Sequence, residues 1–223
     1  MSDNAPYFIV VVVLWVFSVC LHEFGHAIVA YWGGDHTVKD KGYLTMNPIH
    51  YTHPVYSILM PIVFMVLGGI GLPGGAVYIE DSLLRSRWWE MAVALAGVTM
   101  NLLLVILISA CFKLGLLQND PGSMPSVALG FVLQLQISSI LLNLIPVPPL
   151  DGFRAIAAWL PSRDKEKILA TSNISQWILF LCLWYVRPVQ AAFWNIVFYL
   201  TYHCGVNFEL IQNGWEHFRL FRF

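Results

Sequence analysis

Leu14-Trp15-Val16-Phe17-Ser18-Val19-Cys20-Leu21-His22-Glu23-Phe24-Gly25-His26-Ala27-Ile28-Val29 sets two histidines and a glutamate into a run otherwise almost without polarity. The run continues outward from Phe8 to Tyr31, with Pro6 suited to a first helical turn and Gly33-Gly34 to a stop, which predicts a helix long enough to cross a bilayer. Residues four apart share a helical face, so His22 and His26 point the same way, and Glu23 sits one step around. At ~1.5 Å per residue the pair lies roughly 8–14 Å from the end of the helix, still within hydrocarbon.

The rest of the chain supports a membrane setting. Of the 223 residues, 58% are hydrophobic and 11% charged, and the mean hydropathy is +0.67, values outside the range of a soluble domain. The chain is therefore expected to be an integral membrane protein, with room for one membrane domain of several helices. A net charge of −1 points to neither nucleic acid nor an acidic partner. Cys20, Cys111, Cys182 and Cys204 lie far apart in apolar runs, which predicts buried thiols and no disulfide framework. Asp3 without a nearby Lys or Arg, ahead of so long an apolar run, predicts a span and not a cleaved leader.

Further spans follow from the same reading. Ser57 to Gly71 is apolar but interrupted by Pro61, Gly68 and Gly69, and its length suits a re-entrant segment. Gly74 to Ile79 reads as a short extended piece, followed by a charged turn from Glu80 to Arg87. Trp88 to Leu117 and Val127 to Ile145 read as crossings, and Pro146, Pro148 and Pro149 end the second and force extended chain into Leu150-Asp151-Gly152. Arg154 to Lys167 is expected as a charged loop, and Ile168–Val186 and Val189–Val206 as two final spans. The expected fold is an all-α polytopic membrane protein of about five transmembrane helices, a re-entrant segment and short membrane-associated β elements. If Ser57 to Gly71 dips and returns, Lys39, Lys41, Arg85, Arg87, Arg154, Arg163, Lys165, Lys167, Arg219 and Arg222 share one side, leaving Lys113 and Arg187 opposite. The positive side is expected to be cytoplasmic, with the histidines toward it.

Two histidines and a glutamate in a spanning helix are expensive in hydrocarbon unless they bind something or line a wet cavity. The spacing is that of H-E-x-x-H, in which two imidazoles ligate zinc and the glutamate serves as base. A catalytic zinc takes three protein ligands and an open position, so a third ligand is required. Asp151, after its proline-stopped helix, is one candidate; His36, His50, His53, His203 and His217 are others, each read more readily as a surface or interfacial histidine. Polar residues that merely bridge helices are the alternative without chemistry.

Asn143-Leu144-Ile145-Pro146-Val147-Pro148-Pro149-Leu150-Asp151-Gly152 resembles the N-x-x-P-x-P-x-L-D-G motif of the site-2 protease family of intramembrane zinc metalloproteases, in the right order after an H-E-x-x-H helix. Gly42 to Pro48 and Ala96-Gly97-Val98-Thr99-Met100-Asn101 also resemble stretches of that family, although the second usually carries proline where Val98 stands. A further departure is the stretch from Gly74 to Ile79, which lacks the Trp, Lys and Pro character expected there. The resemblance covers about Leu21 to Gly152. It implies one Zn2+ held by His22, His26 and Asp151, Glu23 as the catalytic glutamate, and Asn101 and Asn143 positioning the substrate or its oxyanion. It also implies a transmembrane helix of another membrane protein as substrate, cleaved in regulated intramembrane proteolysis.

Such a helix must unwind before its backbone is attacked, and the freed groups need partners. The strand from Gly74 to Ile79, where Gly74 and Gly75 allow a close second backbone, or the loop from Gly42 to Met46, would pair with it. The whole chain, 1–223, is expected to be one membrane-embedded domain. Its catalytic core spans about 6–160, and C-terminal helices and an interfacial tail occupy 168–223, the tail anchored at the interface by Trp215, Phe218, Leu220, Phe221 and Phe223. No appended regulatory domain is expected. Two competing readings are a metal transporter using His22, His26 and Asp151 as its transport site, and an inactive scaffold that binds membrane helices without metal.

Overall fold

A computed structural model of the chain describes residues 5–47 and 77–218. The expected re-entrant segment Ser57–Gly71, Gly74, Gly75, His50 and His53 lie outside the described residues. The rest forms nine α-helices: α1 (Ala5–Gly33), α2 (Thr37–Asp40), α3 (Arg87–Lys113), α4 (Met124–Asn143), α5 (Asp151–Ala157), α6 (Ser162–Leu169), α7 (Ser172–Tyr185), α8 (Arg187–His203) and α9 (Phe208–Phe218). A single 3-10 turn, Asp81–Leu83, precedes α3.

Helices α1, α3 and α4 form the frame. They are long and apolar enough to cross a membrane, over Pro6–Gly33, Arg87–Lys113 and Met124–Asn143. The protein is thus a membrane protein built on three such helices. Their outer faces carry Ile9, Val13, Phe17, Leu103, Ile106 and Leu107 in exposed positions, the arrangement a lipid solvent favours. Each end has a local cause. Gly34 takes a positive φ of 121° just past α1, a conformation that favours glycine and stops the helix. Ser86 caps α3, its side chain accepting the Trp89 N–H at 3.4 Å, with Glu90 in the first turn and Lys113 in the last, both matched to the helix dipole. Pro125 opens α4, and the run Pro146 to Pro149 follows its end.

Helix α1 packs closely on α3 because small residues face the seam. A Cβ on Gly25 would meet the Ala96 carbonyl oxygen at 2.9 Å. A large core gathers Tyr7, Val11, Trp15, Phe131, Leu133, Leu210 and Phe218 at one end of the bundle. A smaller one, with Ala27, Ala30, Val38, Val77, Ile79 and Val93, lies at the other.

Three expectations are corrected. Among the described residues there are three candidate spans, or four if α6 and α7 count as one bent by 55°, and not about five. The last apolar segments form helices of 14 and 17 residues, roughly 21 and 26 Å long against ~30 Å of hydrocarbon. The break before α7 lies where Thr171 and Ser172 turn their hydroxyls back onto the carbonyls of Ile168 and Leu169. Second, no β-strand occurs among the described residues; Val77 to Glu80 is extended chain held by side chains, as shown below. Third, the expected loop Arg154–Lys167 is largely helical, and Asp151, expected on extended chain, opens α5. The tail helix α9 packs at the N-terminal end of α1, through the Tyr7 hydroxyl donating to the Gly214 carbonyl at 3.1 Å and Phe8 stacked on Phe218. The end of α8 reaches the same region, since the Ser109 hydroxyl near the C-terminus of α3 donates to the Cys204 carbonyl. Helix α9 therefore lies at the far end of the bundle from His26; Arg219 and Arg222 lie outside the described residues.

Candidate metal centre

His22 and His26 present their rings to one point because they are one helical turn apart. The Nδ1 of His26 lies 2.7 Å from the Val93 carbonyl oxygen on α3. A carbonyl can only accept, so Nδ1 carries the proton and Nε2 is left with a bare lone pair. This ring nitrogen lies 3.1 Å from Nε2 of His22. Asp151 arrives from the opposite side of the chain at the start of α5, with Oδ2 at 3.2 Å from His22 Nε2 and 3.5 Å from His26 Nε2. All three side chains are buried, and the three form one candidate metal-holding group.

The spacing and the hydrogen bonding both fit a metal ion. Ligand atoms at ~2.1 Å around a tetrahedral zinc lie about 3.4 Å from one another, close to the three separations just given. Asp151 Oδ2 is buried and has no hydrogen-bond donor, and Nδ1 of His22 is buried without a partner. Gly97 on α3 closes the back of the site. A Cβ there would come within 2.4 Å of His26 Nε2 and 2.6 Å of His22 Nε2, so only a glycine leaves the point of convergence open. The neighbouring Gly152 does similar work for Asp151, for its Cβ would lie 2.3 Å from the Leu144 carbonyl oxygen. The absence of a side chain there lets α5 begin directly against the end of α4.

Glu23 stays out of this group. It is 4% exposed, and its Oε2 accepts the Val77 backbone N–H at 3.0 Å. The other end of the extended segment is held likewise, with the Glu80 N–H donating to Asp35 Oδ2 at 2.9 Å. Asp35 is fully buried, and its second oxygen accepts from the Thr37 N–H and hydroxyl. Lys41 adds a bond from Nζ to the Tyr78 carbonyl at 3.1 Å. Val77 to Glu80 is thus clamped from one side by carboxylates and a lysine. Among the described residues, no backbone hydrogen bond is made by the N–H or carbonyl of Ile79, between them.

The expected asparagines come together on a residue the sequence did not single out. The amide nitrogens of Asn101 and Asn143 both donate to the Ser139 hydroxyl, at 3.2 and 3.4 Å. Asn101 is one turn beyond Gly97 on α3, and its Oδ1 is buried without a partner. Asp35 also escaped the sequence reading, although an acid two residues before a threonine at a helix start is a capping signal. Gly97 had no sequence signal beyond the stretch it lies in. Of the other candidate ligands, His36 packs edge-on against Tyr31, while His203 and His217 each bond a backbone carbonyl of their own helix; none of these three joins the cluster. The four cysteines form no disulfide.

Comparison with known proteins gives a consistent set of relatives. The chain is 37% identical over 212 residues to a protein named "Putative zinc metalloprotease Rip2" in Mycolicibacterium smegmatis, covering 93% of this chain and 78% of the relative. It is 36% identical over 210 residues to the protein of the same name in Mycobacterium tuberculosis, covering 94% and 80%. A more distant relative, "Putative zinc metalloprotease YwhC" of Bacillus subtilis, is 31% identical over 192 residues, covering 82% of each chain. No family model matches the chain, and no solved structure does.

Proposed function

The chain belongs to the family of zinc metalloproteases that includes Rip2 and YwhC, and from that premise we propose that it is a site-2-type protease that hydrolyses peptide bonds inside the membrane. The observation that carries this reading is the convergence of His22, His26 and Asp151 on one point at the flank of a spanning helix. His22, His26 and Asp151 would hold one zinc ion, and the Val93 carbonyl would fix the tautomer of His26. When bound, zinc supplies Lewis acidity, polarising a carbonyl and lowering the pKa of water.

The chain's own groups account for the remaining steps. Glu23 takes the proton of the attacking water and later delivers it to the leaving amine. The Val77 N–H occupies one carboxylate oxygen, which fixes the orientation of the group and leaves Oε1 for the proton. Asn101 and Asn143 each spend one amide N–H on Ser139 and keep another, which would face the developing oxyanion or the substrate backbone. The substrate is a transmembrane helix of another membrane protein, unwound at the cleavage point. Its freed backbone pairs with the open edge at Ile79. The site faces the cytoplasm, and the chain acts as a single membrane-embedded catalytic domain serving regulated proteolysis.

The test uses the purified full chain and a transmembrane peptide in detergent or liposomes. Glu23→Gln should keep stoichiometric zinc and lose cleavage by at least a hundredfold. Undiminished cleavage by that variant, with contaminating proteases excluded, would overturn the reading.

A further inference from the structure

Beside the metal-binding group lies a cavity of about 300 Å³ lined by Val77, Ile79, Pro149, Arg154, Lys165 and Leu169, among others. One wall is the extended segment whose first N–H holds Glu23, and another is α5, which starts at Asp151. None of His22, Glu23, His26 and Asp151 lines the cavity, but two of its walls, Val77 and α5, are continuous with the groups that hold Glu23 and carry Asp151.

Helix α6 closes this cavity in an unusual manner. None of its residues is buried. Only Lys165 and Leu169 are even half-buried, and they are four apart, so they form one face. Both line the cavity. The other residues, Ser162, Arg163, Asp164, Glu166, Lys167 and Ile168, are exposed. Helix α6 thus rests on the body of the protein through one leucine and one ammonium group. The ammonium lies between two carboxylates on different elements, Asp81 Oδ2 at 2.7 Å and Glu90 Oε1 in direct contact. Arg154 stands 3.8 Å from the second oxygen of Asp81 and completes the cluster.

From this arrangement we infer that α6 is a hinged lid over the substrate cavity, latched shut by Lys165 bridging Asp81 and Glu90. The inference rests on the protease reading above, since it assigns the cavity to that site. Its physical basis is the imbalance of forces on α6. The helix buries almost no apolar surface, so opening it exposes little more than Leu169. The latch side chains are 19% to 35% exposed, so water reaches them and can replace the carboxylates as the ammonium leaves. The hinge is the break at Ala170–Thr171, where the axes of α6 and α7 differ by 55°. When the lid lifts, the ammonium exchanges two carboxylates for water or lipid headgroups, and the edge at Ile79 becomes reachable by an extended chain.

The test locks the lid and then releases it. Lys165→Cys and Glu90→Cys are combined in a background lacking the four native cysteines, joined by a short reducible bis-thiosulfonate linker, and assayed on a transmembrane peptide. Linked protein should cleave at least tenfold more slowly than the same protein after reduction, with equal zinc content. Equal rates before and after reduction would overturn the lid. Lys165→Met serves as a second measurement and should match or exceed wild-type kcat/KM, because it frees the latch; a tenfold fall with zinc retained would equally overturn it. Failure of the unlinked, reduced protein to cleave any peptide would instead count against the protease reading itself.

Discussion

The α-carbon of Gly97 stands so close to His26 that a methyl group on it would lie 2.4 Å from the imidazole Nε2. Helix α3 thus supplies bare backbone as the rear wall of the candidate metal site, and the His26 ring is fixed from the same helix one turn earlier through the Val93 carbonyl. An alanine at 97 has to push an imidazole aside or spread α1 from α3. Overpacking of this kind destabilises by about 1–3 kcal/mol, and here the strain falls on the ligand nitrogens. Gly97→Ala is expected to fold in the membrane yet retain less than half the zinc of the wild type. Elemental analysis of the two proteins side by side decides this, and full zinc in the variant would show that the seam yields elsewhere.

Asp151 is the candidate ligand that joins the two halves of the site. Its Oδ2 is buried 3.2 Å from His22 Nε2 and 3.5 Å from His26 Nε2. Asp151→Ala should weaken zinc binding by about a hundredfold or more, at least the loss seen when outer-shell partners are removed. Competition with a chelator of known affinity measures it. Zinc retained at wild-type affinity would remove Asp151 from the coordination set.

Legibility of these features in the sequence followed the range of the forces that make them. His22 and His26 were readable because a four-residue spacing fixes a shared face whatever surrounds the helix. Asp151 was placed by the prolines that end α4, although its position at the first turn of α5 was not foreseen. The spans α1, α3 and α4 announced themselves by length and apolarity. Ile168–Val186 and Val189–Val206 are just as apolar by eye, but the first breaks at Thr171 and Ser172, leaving a helix of 14 residues, and the second forms a helix of 17 residues that ends at His203. Helix α6 was hidden because a highly charged octet has no apolar stripe to betray it. Gly97, Asp35 and Ser139 act through partners 45 to 75 residues away or on another helix. No local pattern carries such information.

Asp35 and Glu23 hold opposite ends of the segment from Val77 to Glu80, and they can be tested separately. Removing the Asp35 carboxylate leaves the N–H groups of Thr37 and Glu80 and the Thr37 hydroxyl without their acceptor. Unpaired buried groups cost roughly 1–3 kcal/mol each when water cannot replace the partner. Asp35→Ala should lower the thermal midpoint and reduce kcat/KM for a transmembrane peptide about tenfold, with zinc content unchanged. Asp35→Asn, which keeps one acceptor oxygen, should recover part of both. A variant with wild-type turnover would show that the clamped segment takes no part in presenting the substrate.

Tyr7 supplies the converse case, a stabilising contact remote from the reacting groups. Its hydroxyl donates to the Gly214 carbonyl across the first and last described helices, and its ring packs with His217. The phenol is buried, and its hydroxyl donates to a backbone acceptor on α9. Tyr7→Phe removes the bond but keeps the ring; the expected loss is about 1 kcal/mol. Gly214 has a related constraint, since a Cβ there would meet the Phe131 side chain at 3.0 Å. Gly214→Leu should therefore detach α9 more severely than Tyr7→Phe, by about 1–3 kcal/mol of overpacking. Because both positions lie at the end of the bundle away from His26, zinc stoichiometry should be unaffected in either variant while thermal unfolding shifts downward. Loss of zinc in Tyr7→Phe would mean that the two ends of α1 are coupled through the helix, and that α9 is part of what holds the metal site in shape.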